Sequence, residues 1–155
     1  MLDFEFTEDQ RMLREAVRRF GKAEIAPHIR AIDREQRLPR HIIKGLADLG
    51  LLGMSVSAKY GGADADPVTV GLVAEELAKA DITCATPTFF LVQAAWGHIL
   101  NTYGTEKAKE AVLPKVTRGE AFLGIASTEP DAGSDVANMK TNAKRVGGTY
   151  VASGE

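Results

Sequence analysis

Ala126-Ser127-Thr128-Glu129-Pro130-Asp131-Ala132-Gly133-Ser134-Asp135 is the densest run of ligand-capable groups in the chain. Upstream, residues 122–125 are apolar enough to form a buried strand, and downstream residues 139–146 read as a second extended segment, so the run is expected to be a strand-to-strand loop. Pro130 and Gly133 set a bend in which backbone N–H groups can converge on an anion. Thr128 and Ser134 add hydroxyls that donate and accept, and the small Ala132 and Gly133 let a ligand approach the backbone. The same residues also make an ordinary solvated turn, in which Asp and Ser bond only their own backbone.

The whole string Thr-Glu-Pro-x-Ala-Gly-Ser-Asp resembles the signature of the acyl-CoA dehydrogenase family. The resemblance runs through the chain in order, from Phe6-Thr7-Glu8-Asp9-Gln10, Val17-Arg18-Arg19-Phe20 and Glu24-Ile25-Ala26-Pro27 to Leu49-Gly50-Leu51-Leu52-Gly53 and Tyr60-Gly61-Gly62. It continues in Glu75-Glu76-Leu77-Ala78, Tyr103-Gly104-Thr105-Glu106-Lys107, Leu113-Pro114 and Gly119-Glu120. Departures occur at Ser57-Ala58, where Pro-Glu is common, and at Ala63-Asp64. Family members also continue past a sequence like Ala152-Ser153-Gly154-Glu155 into a Trp-Ile-Thr/Ser strand and a longer helical domain.

Composition agrees with a globular domain: 155 residues, 45% hydrophobic and 26% charged, are enough to bury a core. The net charge of -2 is spread as mixed signs without a basic stripe, so nucleic acid is not an expected partner. No window approaches the roughly 18 apolar residues of a membrane span. Cys84 is the single cysteine, expected as a buried, inert thiol in a helical neighbourhood. The acidic start of the chain has neither a signal segment nor an Arg-rich transit helix, so a cytoplasmic protein is expected, with a processed organellar one as the alternative.

Helix signals fill residues 1–120. Thr7-x-x-Gln10 is a capping box, followed by a stripe at Met12, Leu13, Ala16, Val17, Phe20 and Ala23 that Pro27 must kink or end. Pro39 fits the first turn of a short second helix, with Ile42, Ile43, Leu46 and Leu49 inward and Gly50 as its stop. His28 and His41 are both expected at the surface. Asp66-Pro67 starts a third helix, with Val70, Val73, Ala74, Leu77 and Ala78 on its buried side and Glu75 and Glu76 most simply on its wet side, from which one carboxylate could reach a neighbour. Thr86-Pro87 repeats that signal before a helix that is apolar nearly all round, with Phe89, Phe90, Val92, Ala95, Trp96 and Ile99 as core and Gln93 and His98 as core polar groups or pocket edges. Thr105 caps a last helix through Val112, which Pro114 is expected to end. Val146-Gly147-Gly148-Thr149 is a hairpin signal.

The expected fold is therefore mainly α: a helical bundle in residues 1–120, then an incomplete β-domain in residues 121–155, the first strands of a β-barrel-like unit. The resemblance implies FAD at Ile125, Ala126, Ser127, Thr128, Gly133 and Ser134, with Thr128 on the flavin ring edge and the Gly133 amide and Ser134 at the phosphates. It implies an acyl-CoA substrate near Ser134, Phe89 and Gln93, α,β-dehydrogenation of the thioester, an electron-transferring flavoprotein or similar acceptor, and a homotetramer. The family's catalytic base is a Glu in the C-terminal domain, so no catalytic residue is assigned here, and no metal site is expected. Acyl-CoA oxidases and flavin monooxygenases share the architecture, and a non-catalytic subunit completing another chain's site is a further reading.

Overall fold

The structure, a computed structural model, describes residues 5–154. It contains two compact units, Met1–Gly124 and Ile125–Glu155.

The first unit is helical. Helix α1, Glu8–Phe20, starts on the capping box: the Thr7 hydroxyl accepts from the Gln10 amide and the Gln10 side chain accepts from the Thr7 amide. Pro27 does not simply end it. The missing N–H and the ring clash are absorbed by a π turn, Gly21–Ile25, and a 3-10 turn, Ala26–His28, before α2, Ile29–Glu35, resumes. Helix α3, Arg40–Asp48, has Pro39 as its cap and not in its first turn, and stops at Gly50, whose φ of 72° is the left-handed conformation that glycine adopts without penalty. Helix α4, Pro67–Ala80, has Asp66 as its cap, accepting from the amides of Val68 and Thr69. Helices α5, Ala85–Tyr103, and α6, Glu106–Thr117, complete the unit. Val17, Ile25, Ile32, Ile42, Leu46, Leu77 and Phe90 meet in its core.

Several local expectations are corrected. Helix α6 runs through Pro114 to Thr117, because Leu113, Val116 and Thr117 are buried and the Thr117 hydroxyl donates to the Pro114 carbonyl. Helix α5 begins at Ala85, before Thr86-Pro87. Its start is set by the buried carboxylate of Asp81, which accepts from the Thr83 and Thr86 amides and from the Thr83 hydroxyl. That corner turns through Cys84 at a φ of 61° and leaves its thiol exposed, not buried. Helix α5 is also not covered all round: Leu91, Ala95 and Ile99 are exposed, since α4, α6 and the turn Leu51–Gly53 pack on its other sides. Met12, Leu49 and Ala78 are exposed where stripes placed them inward.

The second unit is a loop and a hairpin. Strands β1, Asn142–Val146, and β2, Thr149–Ser153, pair antiparallel with Val146 opposite Thr149. Gly147 and Gly148 both have positive φ, the requirement of the tight turn that matches strand twist. Residues 122–125 are not the buried strand expected. Phe122 and Ile125 are 50% and 57% exposed, and among the described residues no strand pairs with this segment. Apolar content alone does not make a strand when no other strand lies beside it to form a ladder.

Candidate functional site

The loop is built from a turn and a carboxylate. Glu129 and Ala132 exchange backbone hydrogen bonds, N to O, at 2.9 and 3.1 Å around Pro130-Asp131, with Pro in the position whose φ it presets. The Glu129 side chain then turns inward and accepts from the Lys140 and Thr141 amides at 2.7 and 2.8 Å. The Thr141 side chain, together with those amides, holds its carboxyl below the usual carboxylate range. Glu129 thereby ties the loop to the residues entering β1. Asp131 is committed too, accepting from the Lys140 ammonium.

The Thr128 and Ser134 hydroxyls are left. Both residues are exposed, and neither side chain hydrogen-bonds to another described residue. Ala126, Ser127 and Thr128 line a concavity of about 270 Å³ with Met139, Thr141 and residues 152–154. Ile125, Gly133 and Ser134 lie outside that lining. The position where Gly133 would carry a Cβ faces open space, which leaves its backbone approachable.

In the helical unit, Phe89 is half-buried and meets Phe122 edge-on, the ring centroids 5.4 Å apart. Gln93 is only 1% exposed. Its amide donates to the Leu123 carbonyl at 3.0 Å and accepts from the Leu123 amide at 2.8 Å. The side chain thus takes the place of a neighbouring strand and holds residue 123 to α5. His98, by contrast, is exposed and borders a cavity of about 310 Å³ lined also by Val70, Leu91, Ala94 and Ala95.

The sequence reading did not single out the most heavily bonded carboxylate among the described residues. Glu76, placed on the wet side of its helix, is 2% exposed. It receives Arg14 at 2.8 Å, Arg18 at 3.0 Å and Lys79 at 3.0 Å. Arg18 first, with Arg14 and Lys79, outweighs the upward push of burial and holds the Glu76 carboxyl at about 2. Two signals could have found it. Glu76 falls in register with Leu72, Val73 and Leu77, and Arg14 and Arg18 are one turn apart on a single face of α1.

Comparison with known proteins places this architecture. The family model described as acyl-CoA dehydrogenase, N-terminal domain, matches residues 7–120. The chain belongs to the acyl-CoA dehydrogenase family. Among its relatives, the probable acyl-CoA dehydrogenase YngJ of Bacillus subtilis is 35% identical over 99% of this chain and 40% of its own length. The glutaryl-CoA dehydrogenase of Mycobacterium smegmatis, solved in complex with FADH2, superposes with a TM-score of 0.87 at 31% identity, over 96% of this chain and 38% of that one. The butyryl-CoA dehydrogenase of Megasphaera elsdenii gives a TM-score of 0.86 at 30% identity, over 99% of this chain and 41% of that one. The chain therefore spans about two fifths of the length of the relatives it matches. Among the described residues, no helix is long and apolar enough to cross a membrane.

Proposed function

We propose that this chain supplies the helical domain and the flavin-binding loop of an FAD-dependent enzyme that dehydrogenates an acyl-CoA thioester between its α and β carbons. The observation that carries the reading is the division of labour in the loop. Glu129 and Asp131 are used up internally, which leaves the Thr128 and Ser134 hydroxyls, and the open backbone at Gly133, for a ligand. The donor set suits the group: Thr128 sits in the concavity with a free hydroxyl for a ring edge, and Gly133 and Ser134 offer an amide and a hydroxyl to phosphate. Ala126 and Ser127, which share that lining, and Ile125 just before them would add backbone groups to the ligand's surroundings.

When bound, FAD would supply the hydride acceptor. The chain's own residues bind and orient. Thr128 would donate to or accept from the polar edge of the ring, while Ser134 would meet the phosphates and approach the acyl-CoA. Phe89 would wall the acyl chain, and Gln93 would serve that pocket by holding residue 123 in place. No residue of this chain is given the role of base. The electrons would leave through an electron-transferring flavoprotein or a comparable acceptor, in a cytoplasmic homotetramer.

The test is Thr128→Val beside Thr128→Ser in the flavin-loaded protein. Losing one hydrogen bond of about 1 kcal/mol should weaken flavin binding roughly fivefold in the Val variant and leave the Ser variant near wild type. Equal flavin affinity and an unshifted flavin spectrum in both variants would overturn the assignment.

A further inference from the structure

The geometry points to a two-imidazole metal site formed by His28 and His41. Neither residue belongs to the loop or the α5 cavity. His28 ends the 3-10 turn Ala26–His28, and His41 lies in the first turn of α3. Their positions are fixed from beneath, because Ile25, Ile32 and Ile42, on the segments that carry them, are buried in one core. The ring centroids are 4.7 Å apart, with the planes inclined at 62°.

That separation can be compared with metal geometry. An ion bound at roughly 2.0–2.1 Å to one nitrogen of each ring lies about 3.2 Å from each centroid, which puts two rings at a right angle about 4.5 Å apart and two at a tetrahedral angle about 5.2 Å apart. The observed 4.7 Å falls between the two values, within the range set by one ion shared between two rings. Imidazole nitrogens suit Cu²⁺, Ni²⁺ and Zn²⁺, and Cu²⁺ binds such donors most tightly of these.

The hydrogen bonding of His28 is also that of a ligand. Its Nδ1 lies 2.9 Å from the Glu24 carbonyl oxygen, which can only accept. Nδ1 therefore donates, which in the neutral ring leaves the Nε2 lone pair for a metal. Metal-bound histidines characteristically orient and fix their tautomer by donating the other ring N–H to such an oxygen. His41 is exposed and makes no hydrogen bond to another described residue, so its ring is free to offer a nitrogen. Among the described residues, no set of three or more His, Cys, Asp or Glu gathers for a metal, so water completes the coordination and hard ions such as Mg²⁺ find no carboxylate here.

The test is Cu²⁺ titration of the 155-residue protein, read by calorimetry and by electron paramagnetic resonance. One ion per chain with two equatorial nitrogens is expected. His28→Ala and His41→Ala should each weaken binding at least tenfold and remove one nitrogen from the spectrum, with folding checked by circular dichroism. His98→Ala should match wild type. Since His41 is exposed, the His41→Ala variant stands as a test even if His28→Ala fails to fold. Absence of saturable binding, or a nitrogen count untouched by His41→Ala, would reduce the pair to an aromatic contact and overturn the site.

Discussion

The helical unit and the loop unit solve the same problem by different means. In the first, helices from distant parts of the chain bury Val17, Ile42, Leu77 and Phe90 against one another, and even the buried carboxylate of Glu76 is matched by cations from two helices. In the second, every residue of both strands is exposed, and the buried residues are Ala132 and Glu129. Order there rests on the backbone ladder of β1 and β2, on its Gly-Gly turn and on hydrogen bonds to the Glu129 and Asp131 carboxylates. The contrast teaches that the helical unit draws its stability from apolar burial, whereas the loop unit draws its shape from polar contacts made within its own stretch of chain.

Three substitutions sharpen this contrast, the largest effect first. Phe90→Ala removes a side chain with no exposure from the centre of the helical core, and should cost about 3–5 kcal/mol in urea denaturation. A smaller loss would show that the core can collapse around the cavity.

Glu76→Gln comes next, at about 2–3 kcal/mol near neutral pH, because it takes the buried carboxylate from Arg14 and leaves Arg18 and Lys79 only the exposed Glu15 and Glu75. The pH dependence has a definite sign. Glu76 is held at about 2 in the folded chain against an ordinary 4.5, so its contribution is complete above about 4.5 and is lost as pH falls through about 2. Denaturation midpoints of the wild type and Glu76→Gln should converge over that range, and a gap unchanged down to pH 2 would show the carboxylate to be uncoupled from stability.

Glu129→Ala should have the smallest global effect and the most local one. Its two amide bonds are worth about 1–2 kcal/mol, so hydrogen exchange at Lys140 and Thr141 should speed up while α1 to α6 keep their protection. As its carboxyl is also held below the ordinary range, the same loosening should appear in the wild type at acid pH. If helical amides lost protection as well, the two units would be energetically coupled.

Features carried by a few neighbouring residues were legible in the chain. The Thr7 capping box, the Asp66-Pro67 start, the Gly50 stop and the Gly147-Gly148 turn are decided by dihedral preference and by hydrogen bonds spanning at most four residues. The loop was legible as a string, yet its inner logic was not. That Glu129 would reach Lys140 and Thr141 depends on where the chain returns eleven and twelve residues later.

The amino-acid order by itself determined the succession of helices, the hairpin and the family to which the chain belongs, because caps, breakers and apolar periodicity act locally. Tertiary structure decided that α6 passes through Pro114, that Cys84 faces outward and that Gln93 serves residue 123. It also brought Glu76 to two arginines and His28 to His41. Each of these depends on which surface another element offers, and a side chain's surroundings are set by packing partners far away in sequence.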